Sequence, residues 1–292
     1  MSKNTFPILL IFISIFFGST MGALMKLAQT DLNVFTASFL RFFLGLIIIA
    51  PYIFKSKLKV YKTKNLKIHL IRSGLNLPAM LLGFAALTMV PFEKISALSF
   101  IVPFIVTILA VIFLKEKIRL YRILALFIGL VGMLIILRPG IIDISIGIQM
   151  TILACFIWAV VMIITKKLTK DDSAITILTY QYTFMTFLSF IVVLFFWNTP
   201  SLNSLIYIFL AACAGTIVHI AINNALKLVD VSMTQPFSFF GLIVASLYGY
   251  FLFDEKPDLF TWIGALIIFI GVTIITYREI KINKDLVINK LD

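Results

Sequence analysis

Polar side chains recur at helical spacing in a chain that is otherwise apolar. Ser96, Ser99, Pro103 and Thr107 follow one another at steps of three and four, and Gln235, Ser238, Leu242 and Ser246 repeat the steps 139 residues later. Such steps place each set on one face of a helix. Facing each other, the two sets can line a cavity that hydrogen-bonds a small solute, or they can pack helix against helix, as small residues commonly do in membranes. Arg72 and Asn76 are four apart. A guanidinium there can hold a carboxylate by two parallel hydrogen bonds, or snorkel from a span end to lipid headgroups. Thr216, His219 and Asn223 form a third series. It offers an edge for a polar ring, or hydrogen bonds between helices. Trp158 and the Tyr180-Gln181-Tyr182 cluster can stack on a planar ring, face a cation, or fill space among 29 phenylalanines.

The chemistry that is missing narrows the function. There is no HExxH, no GxSxG and no pair of carboxylates, so an enzyme is not expected. Neither histidine has a partner at metal-ligand spacing, and Cys155 and Cys213 both lie in apolar stretches as small hydrophobes. No metal and no cofactor is expected. No Asp or Glu falls in the middle third of an apolar segment. Asp31, Glu93, Glu116, Asp254 and Glu255 are all at ends or loops. Proton-coupled extrusion of cations ordinarily needs an intramembrane carboxylate, so substrate exchange or facilitated uptake fits better.

The elements that position these residues follow from composition. Hydrophobic residues make up 61% of the chain and charged ones 13%, against about 45–50% and 25% in soluble domains. That excludes a soluble enzyme, a secreted scaffold and a disordered chain. Ten apolar segments are long enough to cross a bilayer: 6–27, 34–54, 69–89, 94–114, 119–137, 146–165, 174–196, 204–226, 232–253 and 259–277. The net charge of +12 is chiefly an orientation signal. With ten spans, 19 of the 25 basic residues fall on the side of the N-terminus, which puts both termini in the cytoplasm. The expected partners are a lipid bilayer and a small-molecule substrate, with no nucleic acid. Lys26 at the end of the first span is expected to snorkel. Arg41, deeper in the second, has Asp31 or a substrate anion as its candidate partner.

The 139-residue offset extends beyond the polar faces. It aligns Ala86-Leu87 with Ala225-Leu226, Glu116-Lys117 with Glu255-Lys256 and Gly132 with Gly271; one residue more aligns Lys26 with Lys166. Each half then holds five spans, residues 6–137 and 146–277, with a tail at 278–292. Five is odd, so the halves enter the membrane in opposite senses. The fold class expected is an all-α membrane protein of ten helices in two inverted five-helix repeats. Such repeats typify secondary transporters with a midplane site.

Several motifs carry a family resemblance: FGSTMGALMKL with Lys26, FLRFFLG with Arg41, FAALTMVPFEKISALSFIVPFIVTILAVIFLKEKI and IGLVGMLIILRPG. The second half answers with WAVVMIITKKL, NNALKLVDVSMTQPFSFF, FLFDEKP and IGALIIFIGVTII. The chain resembles the EamA-type, ten-helix branch of the drug/metabolite transporter superfamily over about residues 6–280. Within it, the chain is most similar to bacterial carriers that take up S-adenosylmethionine. The resemblance implies alternating access on a small metabolite, S-adenosylmethionine first and exchange with S-adenosylhomocysteine included, or else export of amino acids or other metabolites. The ring and cation of the readings above then become a purine and a sulfonium. The substrate-binding residues expected are Arg72, Asn76, Ser96, Ser99, Trp158, Tyr180, His219, Asn223, Gln235 and Ser238. Glu116 with Lys117 and Glu255 with Lys256 are expected to form gating ion pairs at the two mouths. Gly129, Gly132, Gly264 and Gly271 are expected to permit close helix packing.

Overall fold

The computed structural model describes residues 6–99, 101–137, 145–256 and 258–288, and every regular element among them is helical. The helices are α1 (Phe6–Ala28), α2 (Val34–Lys55), α3 (Leu66–Ala86), α4 (Phe92–Leu98), α5 (Ile101–Leu114), α6 (Leu120–Leu137), α7 (Ile146–Leu168), α8 (Ala174–Val193), α9 (Leu202–Leu228), α10 (Val231–Thr234), α11 (Phe240–Phe253) and α12 (Leu259–Ile288). Seven stretches are long and apolar enough to cross a membrane: α1, α2, α3, α7, α8, α9 and the composite Val231–Phe253. Three further apolar helices are shorter, at Ile101–Leu114, Leu120–Ile136 and Leu259–Gly271. Large apolar side chains such as Phe54, Phe195 and Phe251 stand outward, as a lipid-facing surface requires.

Polar caps start the helices. Asn33, Ser173 and Ser201 each accept a hydrogen bond from the backbone N–H three residues on, at 2.8, 3.1 and 3.2 Å, satisfying a donor that the first turn leaves free.

Two expected spans are not continuous helices. The segment expected at 94–114 divides into α4 and α5, interrupted at Ser99. Pro103 is the cause: proline has no N–H and its ring collides with the carbonyl four residues back, which is that of Ser99. Val102 N–H takes that carbonyl instead, at 3.0 Å. The segment expected at 232–253 begins with the single turn α10, tightens into a 3-10 stretch at Gln235–Phe239 around Pro236, and then continues as α11. The Ser96–Thr107 and Gln235–Ser246 sets therefore do not form single straight faces, and each interruption occurs at its polar residues.

Helix pairing relates the two halves. α1 packs along α9 and α3 along α7; α2 faces α8, α6 faces α12, and α4 meets α11 as α10 meets α5. Exchanging the halves turns α1–α9 into α3–α7 and α4–α11 into α5–α10, and leaves α2–α8 and α6–α12 as they are. The α6–α12 contact is close enough to need glycine. A Cβ on Gly264 would lie 2.5 Å from the Gly132 carbonyl oxygen, and one on Gly132 would lie 2.8 Å from that of Gly264. Gly129 and Gly271 are similarly crowded, by Phe239 and Ile128.

Candidate functional site

A cavity of about 460 Å³ opens where the interrupted helices meet α1, α3, α7 and α9. This is within the range of sites that enclose small molecules. Its walls are mainly apolar. The polar groups on them are few: Ser14 and Ser19 from α1, Ser99 at the α4–α5 break, Thr151, Cys155 and Trp158 from α7, His219 from α9, and Thr234, Gln235 and Ser238 from the α10–α11 break. The breaks supply both irregular backbone and side chains, the one place where non-helical backbone is tolerated at membrane depth. Gln235 donates from Nε2 to Thr234 Oγ1 at 2.7 Å and to the Val231 carbonyl at 2.9 Å. Ser238 donates to the Gln235 carbonyl at 2.6 Å and Ser99 to that of Ile95 at 2.8 Å.

Behind His219 a chain of hydrogen bonds crosses four helices. Arg72 donates from Nε to Thr165 Oγ1 at 2.6 Å and from Nη2 to Gln181 Oε1 at 3.0 Å. Arginine has only donors, so the oxygen of Gln181 must face it, and the Gln181 amide nitrogen faces His219 Nε2 at 3.1 Å. That nitrogen then accepts, which leaves the proton of the neutral ring on Nδ1. The polarity of the imidazole on the cavity wall is thus set two residues away.

Two carboxylates follow α5 and α11 at equivalent places in the two halves. After α5 and after α11 the chain turns through a left-handed residue, Lys115 at φ 56° and Asp254 at φ 53°. The next N–H returns to the helix just left: Glu116 to the Ala110 carbonyl at 3.2 Å, Glu255 to that of Gly249 at 3.0 Å. Each glutamate thereby reaches the other half of the chain. Glu116 accepts from the N–H groups of Val231 and Ser232, both at 3.0 Å, at the start of α10. Glu255 accepts from Phe92 N–H at 3.1 Å, at the start of α4. Lys26 pairs with Glu255 at 2.6 Å over the Phe253 ring. Lys166 instead donates to the carbonyls of Leu226 and Val229, at 2.6 and 2.7 Å.

Among the residues expected at the site, Ser99, Trp158, His219, Gln235 and Ser238 line the cavity. The side chain of Ser96 lies outside the described residues, as do Arg138 and the tail beyond 288. Four others are held elsewhere. Arg72 is 2% exposed and spent on Thr165 and Gln181, so it neither snorkels nor reaches the cavity wall. Asn76 is wholly buried with neither amide atom partnered. Tyr180 donates to the Tyr61 carbonyl at 2.6 Å and stacks on His69. Asn223 reaches the Ala174 carbonyl at 3.4 Å. The gating expectation changes partners: both glutamates bind helix starts, and the lysine on Glu255 is Lys26 rather than the adjacent Lys256. Lys26 does not snorkel. Asp31 meets Ser204 rather than Arg41. Residues not anticipated from sequence include Gln181 and Thr165, which orient Arg72 and His219, and the methionines Met21 and Met80 on the cavity wall.

The EamA-like transporter family matches the chain twice, over residues 5–138 and 145–277. The chain belongs to that family. It is 30% identical over 269 residues to an S-adenosylmethionine uptake transporter of Rickettsia felis, covering 92% of each chain, and 30% identical over 256 residues to that of Rickettsia prowazekii, covering 88% and 87%. A riboflavin transporter of Vibrio cholerae is 28% identical over 256 residues, covering 87% and 86%. A solved crystal structure superposes with a TM-score of 0.78 over 96% of this chain and 98% of its own, at 16% identity, a likeness of fold. The chain is thus a multi-pass membrane transporter of the EamA type.

Proposed function

We propose that this protein is a secondary carrier that takes up S-adenosylmethionine across a bacterial inner membrane by alternating access, with exchange for S-adenosylhomocysteine available to it. The observation that carries the reading is the cavity itself. It is enclosed by both interrupted helices, apolar on most of its surface, and furnished with sparse hydroxyls, an amide, a tryptophan and one imidazole donor. An adenine ring can lie against Trp158 while Gln235, Ser238 and Ser99 address its polar edge. The Rickettsia relatives favour this substrate by name. The ten-span topology with cytoplasmic termini and inverted halves at 6–137 and 146–277 is part of the same proposal. It is supported by the side bias of Lys and Arg and by a pattern of helix pairing that survives exchange of the halves. Glu116 and Glu255 act as the gating residues of the two mouths, each through the helix start that it caps.

Uptake of labelled S-adenosylmethionine into a non-importing bacterial host expressing the chain tests the function. Saturable uptake inhibited by S-adenosylhomocysteine is expected; no uptake with verified membrane insertion refutes it. Two other readings are separable. The riboflavin transporters among the relatives favour a flavin, and competition by riboflavin rather than S-adenosylhomocysteine would establish it. Export of amino acids or other metabolites would appear as efflux from preloaded vesicles with no uptake.

A further inference from the structure

Arg41 is the largest side chain with no exposure among the described residues, and no anion faces it there. Nη2 meets the thioether sulfur of Met21 at 2.9 Å, Nη1 that of Met80 at 4.0 Å, and Nε has no partner. Its guanidinium carbon lies 4.6 Å from the centre of the Phe42 ring, a cation–π contact that offsets only part of the charge's burial. Sulfur is a weak acceptor. Among the described residues no carboxylate pairs with Arg41, and the nearest expected one, Asp31, is taken by Ser204. A buried charge without an anion is costly in any protein and more so at membrane depth, where ionisable residues mark substrate paths. Both methionines line the cavity. Gly215 fixes where the guanidinium lies, because a Cβ there would come within 2.5 Å of Nη2. One turn along the same face of α9 is His219, a cavity wall residue with its proton on Nδ1.

We propose that Arg41 is a cryptic anion-binding residue of the cavity. Met21 and Met80 screen its guanidinium, and a carboxylate on the substrate displaces the two flexible thioethers to pair with Arg41, with His219 Nδ1–H as a second donor. Methionine suits such a cover because its unbranched chain re-packs easily. The substrate class is therefore a zwitterion or anion bearing a carboxylate. This inference rests on the carrier reading of the same cavity.

The test is equilibrium binding to the purified full chain with matched pairs: S-adenosylmethionine against its decarboxylated form, and methionine against methioninamide, with uncharged riboflavin beside them. The acid of a pair is expected to bind about 10–100-fold more tightly, as a charge-assisted bidentate contact provides. Arg41→Gln is expected to erase that preference and Arg41→Lys to retain part of it. Met21→Leu keeps the volume and removes the sulfur, so it is expected to bind the acid severalfold more tightly. If methionine but not S-adenosylmethionine binds, with dependence on Arg41, the substrate proposed above is wrong and the anion site stands. Equal binding of acid and neutral partner, binding of riboflavin alone, no binding at all, or an undiminished preference in folded Arg41→Gln overturns it. Where Arg41→Gln does not fold, Met21→Leu decides, and weaker binding of the acid refutes the displacement.

Discussion

Under the gating proposed for Glu255, its replacement with glutamine removes one negative charge at the start of α4 and keeps nearly the same shape. The carboxylate accepts from Phe92 N–H at 3.1 Å and pairs with Lys26 at 2.6 Å, with both side chains less than a fifth exposed. A hydrogen bond to a charged group contributes about 1.5–3 kcal/mol and a neutral one about 0.5–1.5, so the amide loses about 1 kcal/mol at the helix start. The ion pair adds about 1 kcal/mol. Together about 2 kcal/mol of the preference for this closed mouth goes, a shift of about thirtyfold between closed and open populations. The chain carries its own reporter. Cys155 lines the cavity and Cys213 does not, so Cys213→Ser leaves a single thiol at the site. In that background, a charged, membrane-impermeant thiol reagent applied from the Glu255 side is expected to modify Cys155 ten- to fiftyfold faster once Glu255 is glutamine. Glu116→Gln is expected to act from the opposite side only. A rate within twofold of the parent would show that the carboxylate does not hold the mouth.

Four further outcomes follow from the packing, the polar network and one loop carboxylate. Gly264→Ala sets a methyl 2.5 Å from the Gly132 carbonyl oxygen, and should lower stability by about 1–3 kcal/mol, read as a lower melting temperature in detergent. Gln181→Leu removes one of the two acceptors of Arg72 and the donor to His219, and should cost about 1–3 kcal/mol by leaving a buried guanidinium N–H unpaired. Asn76→Leu removes two unpartnered amide atoms and should be neutral or stabilising in the same melt. Asp31 lies on the α1–α2 loop, where hydrogen bonds from Ser201 and Ser204 hold its carboxyl below the usual range. Its stabilising contribution is present above the ordinary aspartate pKa of about 3.9 and lost as pH falls through the lowered value, so Asp31→Asn should flatten the acid limb of the stability–pH curve.

The cavity residues legible in the sequence were those whose polarity is hard to explain in lipid: Ser99, Trp158, His219, Gln235 and Ser238. Helical spacing alone was a weaker guide. Arg72 and Asn76 share a face of α3 with Ala79 and Met80, yet only the latter two line the cavity. Further along the helix that stripe meets α7 and α8, and periodicity does not say where a neighbour closes it off. Methionines that touch a guanidinium look like ordinary core residues, so the cover over Arg41 had no signal. Pro103 and Pro236 did carry the signal for the two breaks, but apolar length overrode it.

The glutamates show the deeper difficulty and the mechanical consequence. Adjacent opposite charges at 116–117 and 255–256 read as local pairs. A single left-handed residue before each glutamate turns its carboxylate away from the adjacent lysine and across to the other half. Each cap therefore joins an acid of one half to a helix start of the other. In the alternating access proposed above, a rotation of the halves that parts α4 from Glu255 breaks that cap, yet it need not disturb Val231 and Ser232 at the Glu116 end. The two ends are not equal: Lys26 pairs with Glu255 at 2.6 Å with both side chains largely covered, whereas at the other end Arg122 reaches the exposed Asp230 only at 3.6 Å and Lys166 is committed to backbone carbonyls. The Glu255 mouth should therefore be the harder to open, and the modification rates of Cys155 from the two sides should differ in that order in the parent protein.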